Sequence, residues 1–210
     1  MSDPVTATPV IAAAAEPRRG RPGYDRRGVL EVAVRAFNEY GYDATSLGTL
    51  AARLGLSKSA IYHHFASKEE LLEAALEEAL GELEGVLTEP GATTGRAADR
   101  LVFVLDRAVY VLVEKLPYVT LLLRLRGNTP VERAALDRRR EFDRAVTALV
   151  VAARDAGKLR DDIDPRIAER LLFGMINSLV EWYRPEGPED ASRLAADVVS
   201  VAVDGLRIRR

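Results

Sequence analysis

A short polar segment near residue 60 carries the side chains best suited to binding a charged, hydrogen-bonding partner. They are Ser57, Lys58, Ser59, Tyr62 and His63. On a helix these positions point outward, because the intervening residues 60 and 61 are apolar and fall on the inner side. Hydroxyl, ammonium and imidazole groups can hydrogen-bond base edges and phosphates in a DNA major groove. The segment is therefore predicted to be a recognition helix.

Residues 46–64 are predicted to form the helical hairpin that holds this polar face. Gly55 and Leu56 make a tight turn between two short helices. Apolar residues of both helices are spaced to form one shared core: Leu47, Leu50, Ala51, Leu54, Leu56, Ala60 and Ile61. Any helical hairpin could have such a core, so the polar outer face is the stronger indication of a helix-turn-helix.

A basic cluster precedes the hairpin at Arg18, Arg19 and Arg21, within the sequence Arg-Arg-Gly-Arg-Pro. Residues 1–17 are rich in Ala, Pro and Thr and are expected to be disordered. A flexible arginine arm can lie in a narrow A·T-rich minor groove, where the negative potential is strongest. The alternative is a basic surface tail without a DNA contact.

The remaining sequence shows the 3.6-residue period of helices nearly everywhere and few β-type alternations. We predict an all-α fold of about nine helices. Their expected bounds are 25–40, 46–54, 57–64, 67–87, 94–115, 117–126, 129–156, 164–183 and 188–207. Ser67 with Glu70 and Thr129 with Glu132 have the spacing of capping boxes, which supports two of the helix starts.

Charge is distributed unevenly along the 210 residues. Residues 1–68 contain nine Lys and Arg against six Asp and Glu, which leaves 21 against 26 for residues 69–210. A basic first third suits a polyanion that touches one end, although an ordinary solvated surface has the same signature. The absence of Cys, and of basic residues before Arg18, fits a cytoplasmic protein without a secretory signal.

Membrane, metal and enzymatic functions find little support in the residues. The most apolar stretch, 101–125, is interrupted by charged residues and is expected to be core rather than a membrane span. The acidic segment 161–164 lacks the spacing of an EF-hand, and His63 and His64 are the only histidines. No phosphate-binding glycine motif or activated nucleophile is visible. We therefore expect no enzyme activity, metal or cofactor.

Two stretches belong to one long, ungapped motif. They read Gly-Tyr-Asp-Ala-Thr-Ser at 41–46 and Leu-Ser-Lys-Ser-Ala-Ile-Tyr-His-His-Phe-Ala-Ser-Lys-Glu-Glu-Leu at 56–71. The segment 37–72 that contains them closely resembles the DNA-binding region of the TetR/AcrR family of transcriptional regulators. The resemblance is confined to the N-terminal third at the level of sequence, while the chain length and the helix layout also fit the family.

The resemblance implies phosphate contacts at two helix starts. Thr45 and Ser46 open one helix, where free N–H groups suit an anion in any case. Lys68, in the first turn of a later helix, matches another phosphate contact of the family. The alternative for Lys68 is a solvated charge.

The same resemblance assigns roles along the recognition helix. Residues 57–59 are similar to base-reading residues, and Tyr62 and His63 are similar to clamps on the DNA backbone. The alternative for Tyr62 and Phe65 is a place in the core. His64 is expected to be structural.

The implied organisation is an arm at 1–20, a helix-turn-helix domain at 21–68 and a larger effector-binding and dimerisation domain at 69–210. The apolar helices within 101–125 resemble the family's effector cavity, although a packed core requires the same residues. The expected lining residues are Phe103, Arg107, Tyr110, Tyr118, Leu122, Arg124, Arg126, Arg170, Phe173, Asn177, Trp182 and Arg184.

The segments 123–130 and 177–187 are similar to family members that sense acyl-CoA thioesters. Such an effector needs an apolar slot and cations for its phosphates. Arg124, Arg126, Arg170 and Arg184 could supply the cations. For each of these arginines the alternative is a salt bridge or an apolar stem that lies along the surface.

The last two long helices are apolar on more than one face and need a partner beyond their own protomer. The resemblance implies a homodimer through these helices. The expected interface residues are Leu171, Gly174, Met175, Ser178, Leu179, Trp182, Leu194, Val198, Val201 and Gly205. A two-fold axis would suit operator half-sites about 34–36 Å apart.

These expectations combine into a homodimeric repressor that a small effector, of the acyl-CoA class, releases from double-stranded operator DNA. Two alternatives stay open. A helical small-molecule-binding protein without a DNA function would tolerate the loss of Tyr62 or Lys68. An architectural binder of A·T-rich DNA would depend on the arginines at 18–21.

Overall fold

The computed structural model describes residues 25–207, and this range is helical without a β-strand. The helices are α1 Arg26–Tyr40, α2 Leu47–Leu54, α3 Lys58–His64, α4 Lys68–Val86, α5 Pro90–Thr93, α6 Ala97–Glu114, α7 Leu116–Leu123, α8 Pro130–Asp155, α9 Pro165–Asn177, α10 Leu179–Trp182 and α11 Ala191–Leu206. The predicted all-α fold is confirmed. Two four-residue helices were not expected as separate elements: α5 follows α4, and α10 is split from the predicted helix 164–183 at Ser178.

Serine caps fix the starts of the helices at the N-terminal end. The hydroxyls of Ser46, Ser57 and Ser67 each accept a hydrogen bond from the backbone N–H three positions further on. A cap of this kind stabilises a helix by about 1 kcal/mol. The Glu70 carboxylate reaches back to the N–H of Ala66 at 2.6 Å, so this capping box closes one residue further upstream than the motif predicts.

The second predicted capping box has a different geometry. The Thr129 hydroxyl accepts from the N–H of Glu132 at 3.1 Å, as expected. One oxygen of the buried Glu132 carboxylate accepts from the N–H groups of Arg126, Gly127 and Asn128, at 3.2, 2.8 and 3.0 Å. Because three donors converge on one charged acceptor, the loop between α7 and α8 is held tightly to the start of α8.

Helix α4 joins two packed regions. It contacts α1 and also α6, α7 and α8. Its buried residues form an apolar stripe along its length: Leu71, Leu72, Ala75, Leu76, Ala79, Leu80 and Val86. The three N-terminal helices α1, α2 and α3 pack on one another. Helix α4 is therefore a continuous packed element that touches both regions.

The apolar stretch within 101–125 is core, as expected. Its members in α6 and α7 include Leu101, Leu105 and Leu122, each with almost no exposed surface. Within residues 25–207, no helix combines the length and the apolar character that crossing a bilayer requires. The same range brings no three His or acidic side chains together around a space for a metal ion.

Candidate nucleic-acid interface and effector cavity

Helices α2 and α3 form a helix-turn-helix that is closed by Gly55. This residue has φ +63°, in the left-handed region that favours glycine, and its N–H points at the carbonyls of Ala51 and Ala52. Leu50 and Ile61 have no exposed surface, so the two helices share the predicted core. The turn and this core fix how α3 is presented to solvent.

The outward face of α3 is open to solvent. The exposed residues are Ser57, Lys58, Ser59, Tyr62 and His63. Tyr62 has 52% of its surface exposed, which excludes the alternative that it is a core residue. The hydroxyls of Ser57 and Ser59 lie 2.8 Å apart at the start of the helix. Donors of several types on one exposed helix face can reach base edges and phosphates in a major groove.

Thr45 requires a correction, because its side chain is not available to a phosphate. The residue has no exposed surface, and its hydroxyl donates to the carbonyl of Gly41 at 2.8 Å and less closely to that of Ala36 at 3.4 Å. The hydroxyl ties the α1–α2 turn to the end of α1. Ser46, by contrast, is exposed at the start of α2.

Lys68 is held inside the N-terminal region rather than free in solvent. Its ammonium donates to the carbonyls of Tyr42 at 2.8 Å and Asp43 at 3.4 Å and lies 4.1 Å from the centre of the Tyr42 ring. The alternative of a solvated charge is therefore wrong. An ammonium has three donors, so one remains for a phosphate.

Tyr42 is a residue that the sequence reasoning missed, although it lies within the matched motif. Burial, and then the nearby carboxylates of Glu69, Glu132 and Asp43, raise the pKa of Tyr42 to about 12. The phenol therefore stays neutral, and its ring faces both Lys68 and Phe37. Tyr42 fixes the position of the Lys68 ammonium.

Phe65 belongs to the core, which was the alternative for this residue. It is buried at the end of α3, with the Arg26 guanidinium 4.3 Å from the centre of its ring. His64 is half-buried, with its ring 5.2 Å from that of His63. The predicted arm residues, Arg18, Arg19 and Arg21, lie outside the described residues.

Helices α4, α6, α7, α8 and α9 surround a small apolar cavity. Its volume is about 30 Å³, roughly that of one water molecule in the liquid. It is lined by Leu83, Ala108, Leu112, Val119, Leu122, Leu123, Arg139, Phe142, Asp143, Phe173, Ile176 and Asn177. Three of the predicted lining residues are therefore present here: Leu122, Phe173 and Asn177.

Three other predicted lining residues are corrected by the fold. Phe103, Arg107 and Tyr110 lie on the face of α6 opposite its cavity-lining residues, because they are roughly half a turn away around the helix. Phe103 packs against α5, where a Cβ added to Gly91 would lie 2.4 Å from its ring. Arg107 lies 3.6 Å from the Glu89 carboxylate. Phe103 and Arg107 therefore fasten α5 and the residue before it to α6.

Three predicted lining residues from α7 and the loop after it face the N-terminal helices instead: Tyr118, Arg124 and Arg126. The Arg124 guanidinium donates to the carbonyl of Asn38 at 2.7 Å, and the amide of Asn38 donates to that of Pro117 at 2.7 Å. Arg126 lines the same inter-helix groove, and Tyr118 lines a separate one beside α1. These residues lie between α7 and α1 and do not line the cavity.

The two predicted residues near the end of α10 also lie away from the cavity. Trp182 is about half exposed. The Arg184 guanidinium donates to the carbonyls of Tyr183 at 2.8 Å and Glu181 at 3.2 Å. Arg170 is exposed on α9 and lines a groove that adjoins the cavity.

Helix α8 contributes cavity residues that the sequence reasoning missed, namely Arg139, Phe142 and Asp143. The signal was present in Arg-Arg-Arg-Glu-Phe-Asp-Arg at 138–144, where a lone Phe interrupts a charged run. The Phe142 and Phe173 rings meet edge to face at 5.4 Å. That contact forms part of the cavity wall.

Comparisons with known proteins agree with this architecture. Residues 29–75 match the family described as bacterial regulatory proteins, tetR family, and residues 94–206 match the tetracyclin repressor-like C-terminal domain. The chain belongs to the TetR family. It is accordingly a DNA-binding transcriptional regulator with an N-terminal helix-turn-helix.

Individual relatives of this TetR-family chain cover most of its length. SCO3833 of Streptomyces coelicolor A3, a TetR-family regulator, is 52% identical with a TM-score of 0.81, over 86% of this chain and 91% of that one. The transcriptional repressor Rv1474c of Mycobacterium tuberculosis is 29% identical over 81% and 87% of the two chains. AibR in complex with isovaleryl coenzyme A and operator DNA shares the fold, with a TM-score of 0.71 and 21% identity over 84% and 96%.

The TetR-family protomer leaves an apolar face uncovered on α9, α10 and α11. Ile167, Leu171, Trp182 and Val201 are exposed, with 63% for Leu171 and 66% for Val201. Gly174, Ser178 and Gly205 are also exposed, and a Cβ added to either glycine would meet no atom within 4 Å. Exposed large apolar side chains next to exposed small residues are typical of a protein–protein interface.

Two residues predicted for this face belong to the protomer's own core. Leu179 is buried against the core because it follows the helix phase of Leu172 and Ile176 rather than that of Leu171. Val198 is buried as well. Met175 and Leu194 are half-buried at the edge of the face.

Proposed function

We propose that this TetR-family chain is an operator-binding repressor that releases DNA when a small effector occupies the cavity. The observation that carries the proposal is the course of α4. Its first residue, Lys68, is held against Tyr42 at the helix-turn-helix, and Leu83 near its other end lines the cavity. One helix of about 28 Å therefore touches both candidate sites.

The mechanism that fits this arrangement is a shift between two conformers. The effector would bind more tightly to the conformer in which α4 sets the recognition helices at a separation unsuited to DNA. By linkage, operator DNA would weaken effector binding by the same factor. The cavity of about 30 Å³ must widen to admit an effector, and this widening would displace α4.

The proposed DNA contacts lie on two helix starts and one helix face. They are the N-terminus of α2 at Ser46, the outward residues of α3 and the remaining donor of Lys68. We assign DNA binding to residues 21–68 and effector binding to residues 69–210. The arm at 1–20 is proposed to add a minor-groove contact.

The direct test compares two lysine substitutions that each remove one positive charge. Lys58 is exposed on α3, and Lys158 is exposed in the loop between α8 and α9. Affinity for a duplex from the promoter region of the chain's own gene is measured by fluorescence anisotropy. Lys58→Ala should lower this affinity by about tenfold or more, and Lys158→Ala should leave it unchanged. Equal affinity of both variants would contradict a DNA contact by α3.

We further propose that the effector is an acyl-CoA thioester. The support is chemical: an apolar cavity adjoins a groove rich in arginine, and a thioester of this class has an apolar acyl group and a phosphorylated carrier. The fold is shared with AibR, whose complex contains isovaleryl coenzyme A. Anisotropy of the preformed DNA complex should fall as isovaleryl-CoA or palmitoyl-CoA is added.

We also propose that the chain is a homodimer through the exposed apolar face of α9, α10 and α11. Such an interface would relate two recognition helices by a two-fold axis, as an operator with two half-sites requires. Leu171→Asp places a charge at the centre of this face, and Ala152→Asp places one at an exposed position of α8. Light scattering after gel filtration should give a monomer for the first and a dimer for the second.

A further inference from the structure

Helix α9 has three faces with different surroundings. At 3.6 residues per turn they are spaced about one third of a turn apart. One faces the core and contains Ala168, Leu172 and Ile176, and a second is the exposed apolar face with Ile167 and Leu171. The third faces α8 and contains Arg166, Glu169, Arg170, Phe173 and Asn177. Phe173 of this third face packs on Phe142, but its charged residues Arg166, Glu169 and Arg170 are not explained by packing or by dimerisation.

This third face and α8 enclose a groove of about 570 Å³, which is within the size range of small-molecule sites. Five guanidinium groups line the groove: Arg139, Arg140, Arg144, Arg166 and Arg170. Only two carboxyl groups, those of Asp143 and Glu169, oppose them. The excess of positive charge favours a ligand with several negative charges.

Two of the five arginines make no hydrogen bond or close ion pair in the part of the chain that the structure describes, although both lie near the carboxyl groups of Asp143 and Glu169. Arg140, Arg144 and Arg166 each lie within 4 Å of an acidic residue on or beside their own helix. Within residues 25–207, Arg139 and Arg170 make no hydrogen bond or ion pair, and Arg139 is half-buried. A guanidinium that has lost part of its water without gaining an acceptor gains the most from an incoming anion.

Glu169 gives an independent indication of a ligand. It is a charged residue type with only 6% of its surface exposed, and within the described residues it has no hydrogen-bond or ion-pair partner. Burial, and then the nearby Asp143 carboxylate, raise the pKa of Glu169 to about 7. The protonated carboxyl can donate a hydrogen bond to an anionic oxygen, while the ionised form can accept one from an amide.

The groove is continuous with the effector cavity. Arg139, Asp143, Phe173 and Asn177 line both spaces. A ligand whose charged part lies in the groove would direct its remaining part past Phe173, into the apolar interior. The combined site therefore fits an amphipathic anion rather than a purely polar one.

We propose that the groove between α8 and α9 binds the phosphate groups of the effector through Arg139 and Arg170, and that the acyl group enters the cavity past Phe173. This proposal rests on the proposed effector-responsive function and names the residues that recognise the ligand's charge. Phosphates are favoured over a single carboxylate because five arginines surround the groove. In this proposal Arg139 and Arg170 have the phosphate-binding role that the sequence predicted for Arg124 and Arg184, because the guanidinium groups of those two residues donate to backbone carbonyls.

The test uses calorimetric titration of the full-length protein with isovaleryl-CoA, palmitoyl-CoA and the two free acids. The variant Arg139→Gln with Arg170→Gln should weaken binding of a thioester by roughly 100-fold, since it removes two charge-assisted hydrogen bonds. The control, Arg96→Gln with Arg160→Gln, removes two charges from exposed ion pairs outside the groove. The control should bind within about twofold of wild type, on the scale of exposed pairs.

Each outcome decides the assignment. Equal thioester binding by both double variants would overturn the assignment of the groove. Wild-type protein that binds the free acids as tightly as the thioesters would overturn it too, and so would wild-type protein that binds no thioester. DNA affinity is measured on the same samples without ligand. Wild-type DNA affinity in the groove variant shows that it is folded, and failure of DNA binding by wild type would refute the proposed function instead.

Discussion

The DNA-binding end and the effector end of this chain differ in how their candidate residues are assembled. At the helix-turn-helix, the exposed residues come from one continuous stretch of seven positions, 57–63. The cavity draws its residues from five helices spread over 83–177. A local motif fixes the first arrangement, whereas only the packing of distant helices fixes the second.

The wrong predictions are also distributed unevenly between the DNA-binding end and the effector end. At the DNA end, Thr45 was predicted to contact DNA and is buried instead, whereas the outward face of α3 is as expected. At the effector end, Phe103 and Arg124 were assigned to the cavity and face α5 and α1 instead. Periodicity shows that a helix has several apolar faces, but not which neighbour each face meets.

The largest effect is expected for Phe173, which separates the groove from the cavity. Phe173→Ala should lower the free energy of unfolding by about 3 kcal/mol, because it removes a buried ring that packs edge to face on Phe142. Urea denaturation measures this loss. Thioester affinity should change as well, because the residue lines both spaces.

Phe103→Ala is the matched control for the opposite face of α6. Phe103 is half-buried, so its removal should cost less stability and leave thioester affinity unchanged. The assignment of the two α6 faces would be reversed if Phe103→Ala altered ligand binding and Phe173→Ala did not.

A smaller effect is expected for Thr45 at the DNA end. Thr45→Val keeps the shape of the side chain but leaves the Gly41 carbonyl without its donor, which should cost about 1–2 kcal/mol of stability. Thr45→Ser keeps the hydroxyl and serves as the control. Operator affinity of the folded Thr45→Val protein should equal that of wild type, and a specific loss of DNA binding would restore Thr45 as a contact.

The smallest expected effect concerns Glu169 and pH. Its pKa is about 7 in the folded chain and near the ordinary 4.5 when unfolded, so the folded chain binds this proton more tightly. The free energy of unfolding that this group contributes therefore falls as pH rises from 4.5 to 7, and it does not fall further above that range. The groups that face Glu169 are Asp143 and Arg139 from α8 and Arg170 beside it on α9.

Glu169→Gln cannot titrate, so the fall in unfolding free energy across this pH range should shrink by about 1 kcal/mol, after allowance for solvent screening. Urea denaturation at several pH values measures the slope. Glu141→Gln, an exposed carboxyl on α8 paired with Arg144, is the control and should leave the slope as in wild type. If the unfolding free energy of Glu169→Gln depended on pH as steeply as that of wild type, the Glu169 carboxyl would be well solvated in the folded chain.

The fold was largely predictable from the sequence because helix starts depend on local chemistry. The helices that Ser46, Ser57 and Ser67 cap begin within one residue of the predicted starts, and the cap at Ser67 was itself predicted. The short helix α5 was missed because Pro90–Thr93 is too short to show a period. Leu179 was misplaced because each step of four residues from Leu171 turns about 40° around the helix, so that Leu179 lies on the core side.

The candidate sites were less predictable, since burial and pairing are properties of the folded chain. Nothing in the sequence distinguishes Arg139, which makes no hydrogen bond or close ion pair within residues 25–207, from Arg138, which pairs with Glu77 and Glu84. The two arginines are neighbours and differ only in the direction in which α8 points them. The same holds for Glu169, whose burial depends on α8 lying across it.

The three faces of α9 make this helix sensitive to length rather than to composition. Inserting or deleting one residue before Ile167 would rotate the whole helix by about 100°, so that groove residues would turn towards another chain and apolar ones towards the groove. Related chains should therefore conserve the spacing within α9 while they vary its side chains. Differences in length should instead accumulate in the segment 184–190, which lies outside any helix.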